Sequence, residues 1–136
     1  MISTHNFNFY PEIQNIDFYK KIFMKKEFHK ILDKKNNITN SDFKLLPQQE
    51  FLKNFISKHT PYNSVLIFHG TGVGKTCTAI RIAEGFKNIL KKKKKKIIVL
   101  LQRNIRENFI KELYNIDKPD NKQCVGTEYK FSSIES

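Results

Sequence analysis

The stretch that best indicates the fold class is residues 68–76, which read Phe-His-Gly-Thr-Gly-Val-Gly-Lys-Thr. A short apolar run, residues 65–68, leads into the glycines, and apolar residues at helical spacing follow them. A glycine-rich turn between a strand and a helix is the setting in which backbone N–H groups can surround phosphates. The N-terminus of the following helix adds a partial positive charge. The stretch predicts a phosphate-binding loop, here called the P-loop, over residues 70–77.

The residue types in this loop suit a nucleoside triphosphate with Mg²⁺. The glycines let the backbone curl closely around the phosphates. Lys75 is expected to reach the β- and γ-phosphates, and the Thr76 hydroxyl is expected to bind Mg²⁺, so these two residues are the candidate catalytic groups. The predicted nucleotide-binding set is Gly70, Thr71, Gly72, Val73, Gly74, Lys75, Thr76 and Cys77.

A second apolar run, Ile-Ile-Val-Leu-Leu at residues 97–101, is typical of a strand buried on both faces. Helical patterns extend over residues 17–32, 48–57, 75–90 and 105–115. The order strand, helix, strand, helix in the second half predicts an α/β fold with a parallel sheet and right-handed crossovers. Because two strands make a poor parallel sheet, we expect the chain by itself to be marginally stable.

Composition restricts the function classes without choosing among them. The 136 residues carry a formal net charge of +12, and 22 of the 25 basic residues are Lys. Residues 91–96 are six consecutive Lys, here called the lysine tract. Such a tract can bind polyanions without sequence preference, and it can equally be a solvated loop. The lysine excess is also consistent with an A/T-rich genome.

Cysteine usage and hydropathy point to a protein of a reducing, intracellular setting. The chain has two cysteines, Cys77 and Cys124, which are too few for a disulfide scaffold or a zinc site made of cysteines. Cys77 is expected to fill a small space in the core. No apolar run approaches the roughly 18 residues of a membrane span, and the first residues lack the pattern of a secretory signal.

Several stretches together resemble a known family. The first glycine of the general phosphate-loop pattern is replaced by His69, a departure that superfamily 2 helicases share. Residues 45–51 (Leu-Leu-Pro-Gln-Gln-Glu-Phe), 61–62 (Pro-Tyr), 66–77 and 124–129 (Cys-Val-Gly-Thr-Glu-Tyr) are similar to the helicase family of large cytoplasmic DNA viruses. That family includes the poxvirus early transcription factor small subunit and nucleoside triphosphatase I. Gln48 stands where the family usually has histidine, and the acid at Glu128 comes one place later than in the family.

The resemblance implies the first part of a RecA-like helicase ATP-binding domain over residues 45–136, preceded by an N-terminal arm and helix over residues 1–44. It implies a DNA-dependent ATPase or helicase acting in viral transcription, with ATP and Mg²⁺ as cofactors and other viral transcription subunits as partners. The implied location is the virion and the host cytoplasm, with no membrane partner. A termination-type triphosphatase of the same family is the near alternative.

The resemblance also implies roles for residues outside the P-loop. Gln49 is expected to contact adenine through its carboxamide, with a surface helix glutamine as the alternative. Tyr62 is a weaker candidate for stacking on the base, because a packed Pro-Tyr turn is the more ordinary reading. Gln102, Arg103 and Asn104 follow the second predicted strand and are expected to grip the backbone of DNA, or of RNA, through sequence-independent contacts, unless they only cap a helix.

Hydrolysis needs groups that this sequence lacks. An Asp-Glu pair after an apolar strand normally positions Mg²⁺ and the attacking water, and no Asp-Glu dipeptide occurs in the chain. An arginine from a second RecA-like domain is also missing. We therefore interpret the chain as the N-terminal portion of a helicase-like ATPase, truncated before the Asp-Glu motif and expected to be inactive alone. A non-catalytic remnant that binds nucleotide or nucleic acid, and a small-molecule kinase, are the alternatives from other classes.

Overall fold

The structure is a computed structural model that describes residues 9–33, 45–68, 70, 72, 74–115, 117–119 and 123–125. Within these residues the regular structure is helical. The helices are α1 (Phe18–Phe23), α2 (Lys26–Asp33), α3 (Pro47–Phe55), α4 (Lys75–Lys92) and α5 (Arg106–Leu113), with a 3₁₀ turn at Arg103–Ile105. The helix expected over residues 17–32 is therefore two helices, which meet at Met24 and Lys25. None of the helices in the described ranges is long and apolar enough to cross a membrane.

A first hydrophobic core joins the N-terminal helices to α3. Phe28 and Ile22 are fully buried here, and they pack with Ile31, Ile56 and Tyr62. Aromatic rings surround this core, and the ring of Tyr62 stacks on that of Phe55 with 4.3 Å between centroids. Offset aromatic pairs add to the stabilisation that burial gives. The core spans both sides of the expected boundary between residues 44 and 45.

A second, smaller core joins α4 to α5 and to residues 123–125. Its buried members are Cys77, Ile80, Cys124 and Val125. Phe109 and Leu113 of α5 pack against them. Since α3 also packs along α4, the P-loop helix lies between the two cores.

The two predicted strands are not formed in the described part of the chain. Residues 65–68 and 97–101 carry no strand there, and their side chains are largely exposed: Leu66 is 90% exposed, Phe68 92% and Leu100 91%. A strand is stable only when neighbouring strands satisfy its backbone groups and other elements cover its faces. Among the described residues, neither apolar run has a neighbouring strand that would do so. The expected partial parallel sheet is absent from the described residues.

Candidate nucleotide-binding site

The P-loop has the backbone conformation that its glycines permit. Gly72 has φ of 80° and Gly74 has φ of 76°, both in the left-handed region that side chains disfavour. Gly74 is the N-cap of α4, so the turn delivers the chain directly into the helix. Thr71 and Val73, predicted members of the site, and the neighbouring His69 lie outside the described residues. The described glycines thus bring the loop to the helix N-terminus as the sequence pattern predicts.

The first turn of α4 places the two candidate catalytic residues at the helix start. Lys75 and Thr76 are its first two residues, and the Lys75 ammonium Nζ donates a hydrogen bond of 2.7 Å to the Gly70 carbonyl oxygen. The Lys75 side chain therefore folds back over the loop. The first N–H groups of a helix have no partner inside it, and together with the helix dipole they favour an anion. Backbone N–H groups, an ammonium and a hydroxyl form a donor set that fits a triphosphate with Mg²⁺.

Gln49 is buried against this loop. It is 4% exposed, its Oε1 accepts a hydrogen bond of 3.0 Å from the Leu46 N–H, and its Nε2 donates to the Gly74 carbonyl oxygen at 3.2 Å. The first of these bonds caps α3, since Gln49 is the third residue of a helix that begins at Pro47. The structure thus brings Gln49 to the P-loop, 25 positions away in sequence. A carboxamide has two donor hydrogens and two acceptor lone pairs, so Gln49 can still form hydrogen bonds with the edge of a base.

Tyr62 lies in the first core instead of at the P-loop. Its side chain is 5% exposed, and its hydroxyl donates a hydrogen bond of 2.6 Å to the Pro11 carbonyl oxygen. Burial raises the pKa of Tyr62 above its ordinary value. The Tyr62 ring stacks on Phe55, so Tyr62 contributes to core packing. Of the two expected roles, packing and base stacking, this is the more ordinary one.

The predicted nucleic-acid residues are on the surface. Gln102 is the N-cap of the 3₁₀ turn, Arg103 and Asn104 are in that turn, and all three are exposed. Their turn leads into α5, which packs on α4. Among the described residues, no hydrogen bond or ion pair joins these three residues to the P-loop. Their contact with nucleic acid stays a prediction.

Sequence reasoning missed a cross-link at the last residue of the P-loop. Cys77 and Cys124 form a disulfide with their Cα atoms 5.3 Å apart, although 47 positions separate them in sequence. A separation of this length carries no pairing signal, and the one hint was that the chain holds two cysteines. The described residues contain no group of three His, Cys, Asp or Glu side chains that could hold a metal ion.

Arg81 supports the segment that carries Cys124. Its guanidinium Nη2 donates to the Gln123 carbonyl oxygen at 3.3 Å, one helical turn beyond Cys77. Burial lowers the pKa of Arg81 from its ordinary value, and the nearby Glu84 carboxylate opposes that shift. The expected family stretch at residues 124–129 is described only through Val125.

Comparison with known proteins places this site in a family. The family model for the "Type III restriction enzyme, res subunit", ResIII, matches residues 42–135, which include the whole P-loop. No solved structure matches the chain.

Relatives occur in large DNA viruses. A protein of Acanthamoeba polyphaga mimivirus, named as an ATP-dependent RNA helicase, is 37% identical over 135 residues, covering 88% of this chain and 11% of its own length. A second mimivirus protein with the same kind of name is 35% identical over 115 residues, covering 82% of this chain and 19% of its own length. A protein of Invertebrate iridescent virus 3, named as a helicase, is 32% identical over 81 residues, covering 53% of this chain and 8% of its own length. The chain therefore spans less than a fifth of the length of these relatives.

The family match covers more than half of the chain and includes the P-loop. It confirms the resemblance to superfamily 2 helicases at the level of the family. The chain belongs to the ResIII family of helicase-like P-loop ATPases.

Proposed function

We propose that this chain binds MgATP and is the ATP-binding part of a nucleic-acid-dependent ATPase of the viral helicase type. The observation that carries the proposal is the P-loop, in which Gly72 and Gly74 turn the backbone into the N-terminus of α4 directly ahead of Lys75. The family match and the helicase names of the viral relatives support it.

The proposed roles follow from the donor groups at the start of α4. On triphosphate binding, the Lys75 ammonium exchanges the Gly70 carbonyl oxygen for the β- and γ-phosphates. The Thr76 hydroxyl would be a ligand of Mg²⁺, and the loop N–H groups would hold the remaining phosphate oxygens. Mg²⁺, when bound, neutralises charge that develops on the phosphates.

Gln49 is the proposed adenine contact. Its position against the Gly74 carbonyl puts a donor and an acceptor of the same carboxamide beside the loop. Adenine offers a matching donor and acceptor on one edge. Because Gln49 is buried, base contact requires a small outward movement of its side chain.

Nucleic acid is the proposed partner, and its backbone is the proposed target. Gln102, Arg103 and Asn104 are exposed on the 3₁₀ turn, and the lysine tract is exposed at the far end of α4. Phosphate contacts of this type depend steeply on salt and little on sequence. The two mimivirus relatives are named as RNA helicases, so RNA stands beside DNA as the nucleic acid to be tested.

We also propose that residues 65–68 and 97–101 become strands of a RecA-like parallel sheet when further strands are supplied. Their exposed apolar side chains support this, since a buried parallel strand has this composition. The most specific version of the proposal is a role in viral transcription, of the early transcription factor or the termination type. This version rests on the resemblance alone.

The experiment is a pair of assays on the full chain, with Lys75→Ala as the test variant and Lys87→Ala, on the same helix, as the matched control. We expect a fluorescent ATP analogue to bind the wild-type and Lys87→Ala chains and not Lys75→Ala. Because the Asp-Glu pair is absent from the sequence, we expect binding without phosphate release from this chain by itself, a result that the non-catalytic remnant shares. Phosphate release that DNA or RNA stimulates would exclude the remnant, and absence of binding by the wild-type chain would contradict the proposal.

A further inference from the structure

Cys77, the last residue of the P-loop, is cross-linked to Cys124, and the proposed ATPase chemistry uses neither sulfur. Cys77 is 6% exposed and Cys124 is 7% exposed, and both lie in the second core. Their Cα separation of 5.3 Å is within the range that a disulfide requires. Both thiols can therefore meet without movement of the backbone.

The site is placed at the start of the P-loop helix. Cys77 is the third residue of α4 and follows Thr76 directly. Cys124 belongs to a segment that is held in place independently of the disulfide: the Gln123 side chain accepts from the Asn115 N–H at 3.0 Å and donates to the Lys118 carbonyl oxygen at 2.7 Å. The cross-link thus joins the first turn of α4 to a pre-arranged segment that follows α5.

The surroundings of the two sulfurs differ. Cys77 lies in the first turn of α4, and the Glu112 carboxylate oxygen Oε2 lies 3.6 Å from the Cys124 sulfur. Both cysteines are buried, so an external molecule reaches either sulfur only when this core opens locally.

We propose that Cys77 and Cys124 are a redox-controlled clamp that fixes the first turn of the P-loop helix. On local opening of this core, one of the two cysteines loses its proton and attacks an external disulfide, either a small-molecule disulfide or that of a thiol oxidoreductase, and displaces one thiolate. The other cysteine then loses its proton and attacks the first cysteine's sulfur, which displaces the second thiolate. The two cysteines are oxidised by two electrons, the external disulfide is reduced by two, and the two displaced thiolates take up the protons.

Closure of the clamp acts on nucleotide binding, and this part of the inference rests on the proposed function. A cross-linked first turn holds the phosphate-binding N–H groups in place before the nucleotide arrives, which lowers the cost of ordering them on binding. Oxidation therefore tightens ATP binding, and bound ATP in turn resists reduction of the disulfide, because the coupling is reciprocal.

The test holds the full chain in buffers of fixed reduced-to-oxidised glutathione ratio and measures three quantities. Non-reducing peptide mapping after alkylation should find an intramolecular Cys77–Cys124 link. Hydrogen exchange of the backbone amides at residues 78–81, which are the first to bond within α4, should slow by about tenfold on oxidation, since the opening of that turn is suppressed. A fluorescent ATP analogue should bind at least about threefold more tightly to the oxidised chain. Cys124→Ser should behave as the reduced chain in every buffer.

The outcomes separate the two proposals. Free thiols at all ratios, a link between two chains, or equal exchange in both states would overturn the clamp. Equal ATP affinity in the two states would overturn its effect on the nucleotide. Failure of the chain to bind ATP in either state would contradict the proposed function, and the peptide map and hydrogen exchange would still decide the clamp.

Discussion

The Gln49 side chain and the Gly74 backbone are joined by a hydrogen bond of 3.2 Å that links the start of α3 to the start of α4. The same Gly74 carbonyl oxygen accepts from the Thr78 N–H and from the Thr78 hydroxyl, each at 3.0 Å. This oxygen is thus the point where the P-loop, its helix and the glutamine of α3 meet.

Replacement of Gln49 should uncouple α3 from the P-loop. Gln49→Ala removes two hydrogen bonds from a buried side chain and leaves the Leu46 N–H without that acceptor, so we expect a loss of about 1–3 kcal/mol in the free energy of unfolding. Gln48→Ala is the matched control, because Gln48 is the exposed neighbour on the same helix. Urea unfolding of the two variants measures the difference, and equal stabilities would contradict the coupling.

Gly74, the N-cap of α4, and Gly85, inside α4, should respond to alanine with opposite signs. Gly74→Ala places a side chain on a residue with φ of 76° and drives its Cβ into the Gln49 carboxamide. We expect a loss of about 1–3 kcal/mol for the strained backbone. Gly85→Ala lies in the interior of α4 with nothing within 4 Å of the added carbon, so it should gain about 0.5–1 kcal/mol. Thermal unfolding of both variants checks the signs, and destabilisation by Gly85→Ala or tolerance of Gly74→Ala would count against this geometry.

Oxidation should stabilise the chain as well as its P-loop. A disulfide across 47 positions lowers the entropy of the unfolded chain, worth at most about 4 kcal/mol in the loop-closure account. We therefore expect a higher unfolding temperature without reductant than with it. Cys124→Ser should unfold at one temperature in both buffers. A wild-type unfolding temperature that reductant leaves unchanged would contradict the prediction.

Stability should fall at alkaline pH through Tyr10. Burial, together with a hydrogen bond from its hydroxyl to the Glu27 carboxylate, raises the pKa of Tyr10 above its ordinary value. A group with a raised folded-state pKa contributes stability that is full below its unfolded pKa of about 10 and is lost as the pH rises above that value. Tyr10→Phe should reduce the loss of unfolding free energy above about pH 10. Tyr19→Phe, at a residue that is 76% exposed, should leave that loss unchanged. Unfolding measured from pH 8 to 11 decides between them.

The sequence predicts those parts of the structure that local interactions determine. The glycines and the lysine of the P-loop, and the apolar spacing of α3, α4 and α5, act within a few residues, and the structure has these elements near the expected bounds. The break between α1 and α2 was missed, because the apolar pattern of residues 17–32 continues across it.

Features that depend on distant partners could not be predicted in the same way. The apolar runs at residues 65–68 and 97–101 have the composition of buried strands, but a strand forms only with a neighbour, and composition does not say whether one is present. The Cys77–Cys124 pair is likewise fixed by the packing of α5 on α4, which no spacing in the sequence reveals. The contact between Gln49 and Gly74 was expected only as two members of one site, and its hydrogen bond emerged from the packing of α3 on α4.

The central claim is that the P-loop binds the triphosphate through Lys75. Calorimetric titration of MgATP into the wild-type chain and into Lys75→Ala tests it most directly, with circular dichroism to establish that both are folded. We predict a single site in the wild-type chain and an affinity at least about 100-fold weaker in the variant, since a charge-assisted contact to the phosphates is lost. Equal affinity in the two chains would contradict the account.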